Sequence, residues 1–186
     1  KMMWTEIVSE KIRNQQRFLE DLGKKENVML TEYLKEIQPG DTTNREGHAA
    51  KVYFNAVFGM DFSRSLDIPI NAALNYGYGI ILSTFNREIV SNGYITQLGL
   101  FHDNMFNQFN LGSDLMEPFR ILVDRKVYEM KPEKLEKEEK LQLVNILNQE
   151  VKRNYVVNAI KIYCKSVFDA INDNDVSLIR FYSNEL

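Results

Sequence analysis

Trp4, Ile7, Val8, Ile12, Leu19 and Leu22 recur at the three- and four-residue spacing of an amphipathic helix, and Gly23 supplies a C-terminal stop. Met29, Tyr33 and Ile37 carry a second stripe of the same period, closed by the turn Pro39-Gly40-Asp41. A third helix is predicted from near Asn44, with Ala49, Val52, Tyr53, Ala56 and Val57 on one face. A fourth is predicted from about Pro69 to Ser91, turning Ile70, Ala73, Leu74, Gly77, Ile81, Phe85 and Ile89 inward. Asn71, Asn75, Tyr78 and Asn86 form its polar face, and Gly93 ends it. Residues 99–113 lose the period and are rich in Asn and Phe, so a tighter, less regular segment is expected. Another helix is predicted from about Asp114, with Pro118 in its first turn or kinking it. The stretch from Lys131 to Lys140 reads as a solvated turn and helix face. Leu141 to Ile171 resumes the helical period, and the last dozen residues read as a loosely held tail. With no strand alternation, repeat or long linker, the expectation is an all-α, multi-helix domain over residues 1–186.

Composition narrows the class without naming a function. A chain of 186 residues, 44% hydrophobic and 26% charged, can bury a core of ordinary size. No apolar run approaches the roughly 20 residues of a membrane span and no signal peptide is visible, so no membrane partner is expected. The single cysteine, Cys164, forms no internal disulfide, which makes a reducing cytoplasm the expected compartment. The opening Lys1-Met2-Met3 has no clean initiator methionine, and the chain is expected to be a fragment of a longer one. The net charge of −3 and a pI near 5.5 argue against an ordinary DNA-binding domain. Phosphate contacts need local cations. If the protein handles DNA, then metal ions, other domains or partner subunits must bring part of the positive charge.

Three groups of residues could carry chemistry. Glu46 falls on the otherwise apolar face of the third helix, where a carboxylate needs a partner, a proton or a metal. Thr43-Asn44-Arg45-Glu46 also fits the S/T-x-x-E capping box, and spacing alone favours that reading. His102 stands among Phe and Leu, where a packed, hydrogen-bonded histidine is the commoner case. His48 follows Glu46 by two residues, which turns it to a different face. Asp114 and Glu117 share one helix face by their i, i+3 spacing, and acids at a positive helix end explain them without a ligand. Carboxylates together with an imidazole suit Mg²⁺ or Mn²⁺ better than a soft structural metal. Cys pairs, HExxH, the Walker loop, GxSxG, GxGxxG and the E-x-x-H pairs of di-iron bundles are missing from the sequence. Residue by residue, then, the chain reads as an all-α domain with a candidate hard-metal site.

Four strings add more: NREGHAAKVYFNAVFG, FSRSLDIPINAALNYGYGIILSTFNREIV, NGYITQLGLFHDN and FNQFNLGSDLMEPFR. Together, over about residues 42 to 128, they resemble the core of the CRISPR-associated integrase family, nearest to its type II branch; NAIKIYCKSVFDAIN adds a weaker match. The resemblance implies the family's helical catalytic domain, without the small β-rich N-terminal domain that precedes it. It also implies a metal site of Glu46, His102 and Glu117 holding Mg²⁺ or Mn²⁺, with Asp114 as an accessory acid. The implied reaction is spacer acquisition for antiviral defence, in which the 3′-hydroxyl of incoming DNA attacks a phosphodiester at the border of a CRISPR repeat. Arg64, Arg87 and Arg120 are candidates to hold phosphate, and Asn71, Asn75 and Tyr78 to line the DNA path. Plain surface solvation and helix amphipathicity are the alternatives for these six. Relatives imply a homodimer bound to a small CRISPR-associated partner subunit, with prespacer and repeat DNA as substrates. Without the β-rich domain, this chain is expected to bind metal but integrate DNA poorly. Two readings compete: a metal-dependent nuclease that hydrolyses branched DNA, and a helical interaction scaffold without activity.

Overall fold

In a computed structural model, the protein is described over residues 1–184. Among the described residues there are eight α-helices: α1 (Met2–Asp21), α2 (Asn27–Glu36), α3 (Arg45–Phe58), α4 (Pro69–Ser91), α5 (Asn110–Leu115), α6 (Arg120–Met130), α7 (Lys137–Val144) and α8 (Val156–Asp173). The fold class is all-α, as the periodicity predicts. Trp4, Ile7, Val8, Ile12 and Leu19 are almost wholly buried along one face of α1, which packs on α2, α3 and α6. Each large apolar side chain buried in this way contributes about 1.5–3 kcal/mol. Gly23 (φ +66) turns the chain from α1 into α2, a conformation that an L side chain resists.

The long helix α4 runs against α5, α6, α7 and α8. Its Phe85 meets Phe119 and Tyr163 of α8 at ring-centroid distances of 5.3 and 5.9 Å, so aromatic side chains fill the centre. Gly77 lets α4 approach α6 closely: a Cβ there would stand 2.4 Å from Cγ1 of Val123. Pro69 sits in the first turn of α4, where its missing N–H costs nothing.

The structure corrects four expectations. Asn71 and Tyr78 do not lie on an exposed polar face of α4: both are buried, and Asn75 is the exposed one of the three. Asn71 donates to the carbonyls of Ser63 and Leu66, fixing the loop before α4, and Tyr78 donates to buried Asp124. Asp114 and Glu117 do not share a helix start. Asp114 lies near the end of α5, and Glu117 opens a 3-10 helix, Glu117–Phe119, in which Pro118 is accommodated. The stretch from Leu141 to Ile171 is broken by a 3-10 helix (Asn145–Asn148) and a minimal antiparallel hairpin, β1 (Glu150–Val151) paired with β2 (Asn154–Tyr155). The C-terminal segment is held over its described part, since Phe181 and Tyr182 are buried and Tyr182 packs on Phe119 at 4.8 Å. The last two residues of the expected tail lie outside the described residues. Among the described residues, no helix is long and apolar enough to cross a membrane.

Candidate active site

The start of α3 decides which way Glu46 faces. Asp41, held at φ +50 after the Pro39-Gly40 turn, accepts from the backbone N–H groups of Arg45 (2.8 Å) and Glu46 (2.9 Å). A short carboxylate at the positive helix end satisfies both amides. The Thr43–Glu46 capping box does not form. The side chain of Glu46 instead accepts from the Lys11 ammonium at 2.5 Å.

Lys11 projects from the inward face of α1, one turn from Ile7 and Gln15, and its side chain is 11% exposed. The same ammonium contacts Oε2 of Glu117, whose side chain is 3% exposed. Oε1 of Glu117 accepts from Nε of Arg120 at 2.9 Å. Burial alone would push the Lys11 pKa down, but the charges of Glu117 and Glu46 outweigh it and the pKa is raised. Glu117 is opposed by its own burial, yet Lys11 and Arg120 hold it below the ordinary carboxylate value. Lys11 and Glu117 are therefore both charged at neutral pH.

Asp114, fully buried, gathers the irregular loop after α4 around itself. It accepts from the backbone N–H of Leu100 (2.6 Å), Phe101 (2.9 Å) and His102 (3.3 Å) and pairs with Nδ1 of His102. Phe101 stacks on Trp4 with parallel rings 4.5 Å apart, and His102 meets Trp4 edge-on at 5.8 Å. The hydrogen bond to Asp114 raises the His102 pKa; partial burial works against it, and the charges of Asp114, Glu117 and Glu46 reinforce it. With Nδ1 given to Asp114, neutral His102 offers Nε2 as its lone pair, an arrangement that commonly orients histidine ligands.

The donor set suits a hard divalent ion. Two carboxylates share one cation, and Oε2 of Glu117 is buried without a hydrogen bond of proper geometry, its contact with Lys11 being ionic. Among the described residues, no three His, Cys, Asp or Glu side chains stand grouped as a metal site. An ammonium, not a third ligand, lies between the two acids.

The remaining candidates fall into two sets. The guanidinium of Arg64 is held by Asn75 (2.6 Å) and Asn71, and it lies 5.4 Å from the Tyr78 ring centroid. Arg120 stands over that ring as well, at 4.7 Å, so Arg64, Asn71, Asn75, Tyr78 and Arg120 form one cluster beside Glu117. Arg87, exposed further along α4, takes no part in it.

Sequence reasoning missed Lys11 and Asp124. Each had a signal: Lys11 interrupts an apolar stripe, and Asp124 lies one turn from Arg120 among Ile121, Leu122, Val123 and Val127. Asp124 accepts from the hydroxyls of Tyr53 (2.8 Å) and Tyr78. Burial lifts its pKa to about 6, although the two phenol hydrogen bonds pull the other way. The folded protein therefore holds a proton on Asp124 between about pH 4 and 6 that the unfolded chain releases. Stability from this group is full below about pH 4 and is lost as the pH rises through about 6, by on the order of 3 kcal/mol. Asp124→Asn is expected to flatten the change in unfolding free energy between pH 4 and 7 by that amount. Urea unfolding of both proteins at the two pH values measures it, and equal slopes would show that Asp124 does not titrate in this range.

Comparison with known proteins adds a family to this geometry. Residues 2–159 match the family model described as CRISPR associated protein Cas1. The chain is 40% identical over 128 residues to a CRISPR-associated endonuclease Cas1 of Neisseria meningitidis, an alignment covering 67% of this chain and 41% of that protein. A Cas1 endonuclease of Francisella tularensis is 25% identical over 183 residues, covering 84% of this chain and 58% of the relative. The chain thus spans less than two thirds of either relative. Among solved structures, a Cas6-RT-Cas1–Cas2 complex superposes with a TM-score of 0.81 at 20% identity, covering 100% of this chain and 25% of that one. A casposase bound to integration product gives a TM-score of 0.76 at 19% identity, covering 99% and 62%. At these identities the superpositions speak for the fold.

Proposed function

This chain belongs to the Cas1 family of CRISPR-associated proteins, and we propose that residues 1–186 form the helical catalytic domain of an integrase that joins spacer DNA to a CRISPR array. The observation that carries this reading is the meeting of Glu46 and Glu117 on one cation, beside a histidine whose Nδ1 is held by buried Asp114. Glu46, Glu117 and Nε2 of His102 would hold Mg²⁺ or Mn²⁺, which when bound supplies Lewis acidity toward phosphoryl oxygens. Asp114 keeps Nδ1 of His102 protonated and the ring oriented, leaving Nε2 as the donor. Arg120 keeps Glu117 ionised while its side chain remains 27% exposed at the cluster edge. Arg64 and Arg120, on one aromatic ring, are suited to hold two phosphates of the entering strand. Fixing a DNA 3′-hydroxyl against a repeat-border phosphodiester supplies much of the remaining acceleration.

The net charge of −3 leaves the chain short of cations for duplex DNA. A second copy and a small CRISPR-associated subunit supply the rest in this reading, with the cytoplasm as its setting. A solved relative described as a complex with Cas2 and a casposase bound to integration product support it. Hydrolysis of branched DNA, with water in place of the 3′-hydroxyl, is the second reading, favoured by the name endonuclease that curated relatives carry.

The test is product analysis with labelled 3′-hydroxyl DNA and a repeat-bearing target, in Mg²⁺ or Mn²⁺ and in EDTA. Metal-dependent strands longer than the input support integration. Shortened strands alone support the nuclease, and intact DNA with a retained protein partner leaves the scaffold.

A further inference from the structure

We propose that Lys11 is the protein's own occupant of the divalent-ion site, an ammonium that holds Glu46 and Glu117 together until a metal ion displaces it. The inference rests on the metal-site reading above and deepens it. The ammonium lies 2.5 Å from Oε1 of Glu46 and contacts Oε2 of Glu117. Arg120 reaches the other oxygen of Glu117, so among the described residues Lys11 is the cation that bridges the two acids. Two ionised carboxylates so close repel each other unless a cation lies between them. Glu117 is almost wholly buried, which makes an internal cation the condition for its charge.

An ammonium and a divalent ion cannot share these oxygens. A divalent ion held by the same oxygens would need the space the ammonium holds, since Mg²⁺–oxygen distances are about 2.0–2.1 Å. Binding is therefore an exchange, in which the metal arrives as Lys11 leaves. A lysine suits this role, since its charge rides on four flexible methylenes and can swing away without moving α1. An arginine fork would bind both carboxylates more rigidly. The exchange lowers metal affinity relative to a site of the same ligands without the lysine.

The first experiment is Mn²⁺ titration by calorimetry of the protein and of Lys11→Met. Loss of the competing ammonium is expected to tighten Mn²⁺ binding about tenfold or more. Lys11→Arg keeps a competing cation and is expected to show no tightening. A second measurement needs no variant: amine acetylation of Lys11, followed by mass spectrometry, is expected to run several-fold faster in Mg²⁺ than in EDTA. It decides the matter if Lys11→Met does not fold. Mn²⁺ binding in Lys11→Met no tighter than in the parent, or an unchanged labelling rate, overturns the role of Lys11. Mn²⁺ binding that is missing from both proteins, or that survives Glu46→Gln and Glu117→Gln, overturns the metal-site reading itself.

Discussion

His102→Ala in the full-length protein is expected to reduce strand joining by about two to three orders of magnitude while changing the unfolding free energy by no more than about 1 kcal/mol. The two effects separate because His102 stands at the edge of the core. Its side chain is 42% exposed, and the buried carboxylate it touches keeps three backbone donors when the ring is removed. Loss of the ring then costs one hydrogen bond on the folding side. On the catalytic side it removes the only imidazole in the cluster, and with it one of three donors that would hold the ion against the phosphodiester. Joining rates measured beside urea unfolding and partner pull-down test this. Lost joining with retained fold and partner binding favours the enzyme over the scaffold. Unchanged joining would remove His102 from the chemistry.

The helices most legible in the sequence are those whose apolar period is met by a continuous neighbour. The faces of α1, α3 and α4 could be read because Ile7, Tyr53 and Ile81 all point to one core. The hairpin after α7 could not, since Leu143, Ile146, Val156 and Ile160 are buried and keep a helix-like spacing on both sides of it. The turn is made by Lys152, at φ +57, a residue with no special turn signature. The burial of Asn71 and Tyr78 is hidden in the sequence for a related reason. Their polar atoms are satisfied by Ser63, Leu66 and Asp124, partners that local pattern does not reveal. Burial of Phe181 and Tyr182 likewise depends on Phe119 and Tyr163, far away in sequence.

Of the candidate site, spacing alone favoured a cap for Glu46 and a packed histidine. Resemblance supplied the grouping with Glu117. The structure gives the cap to Asp41, whose Pro-Gly-Asp context reads only as a turn, and this frees Glu46 for Lys11. The role of Lys11 is not legible locally, because its partners Glu46 and Glu117 stand on other elements far along the chain.

Asp114→Ala is expected to cost about 3–5 kcal/mol of stability and to release the loop that carries His102. The carboxylate is fully buried and accepts from three consecutive backbone N–H groups and one imidazole, so it is the inner anchor of residues 100–102. Alanine would leave those amides facing an apolar void, each with the desolvation cost of an unmade bond. Packing around Gly99 shows how closely the loop is drawn in: a Cβ there would stand 2.2 Å from the His102 carbonyl oxygen and 2.8 Å from Oδ2 of Asp114. Trp4 holds Phe101 from the far side by stacking, so part of the loop remains attached when the anchor is removed. Global unfolding then underestimates the local change, and hydrogen exchange at the amides of Leu100, Phe101 and His102 is the sharper measurement. Asp114→Asn keeps one acceptor oxygen but brings an NH₂ toward the same donors, so its loss is expected to be smaller and of the same sign. Exchange protection unchanged in Asp114→Ala would mean that the Trp4 stack alone fixes the loop. Asp114 would then act on His102 only through the Nδ1 contact, setting its tautomer without setting its position.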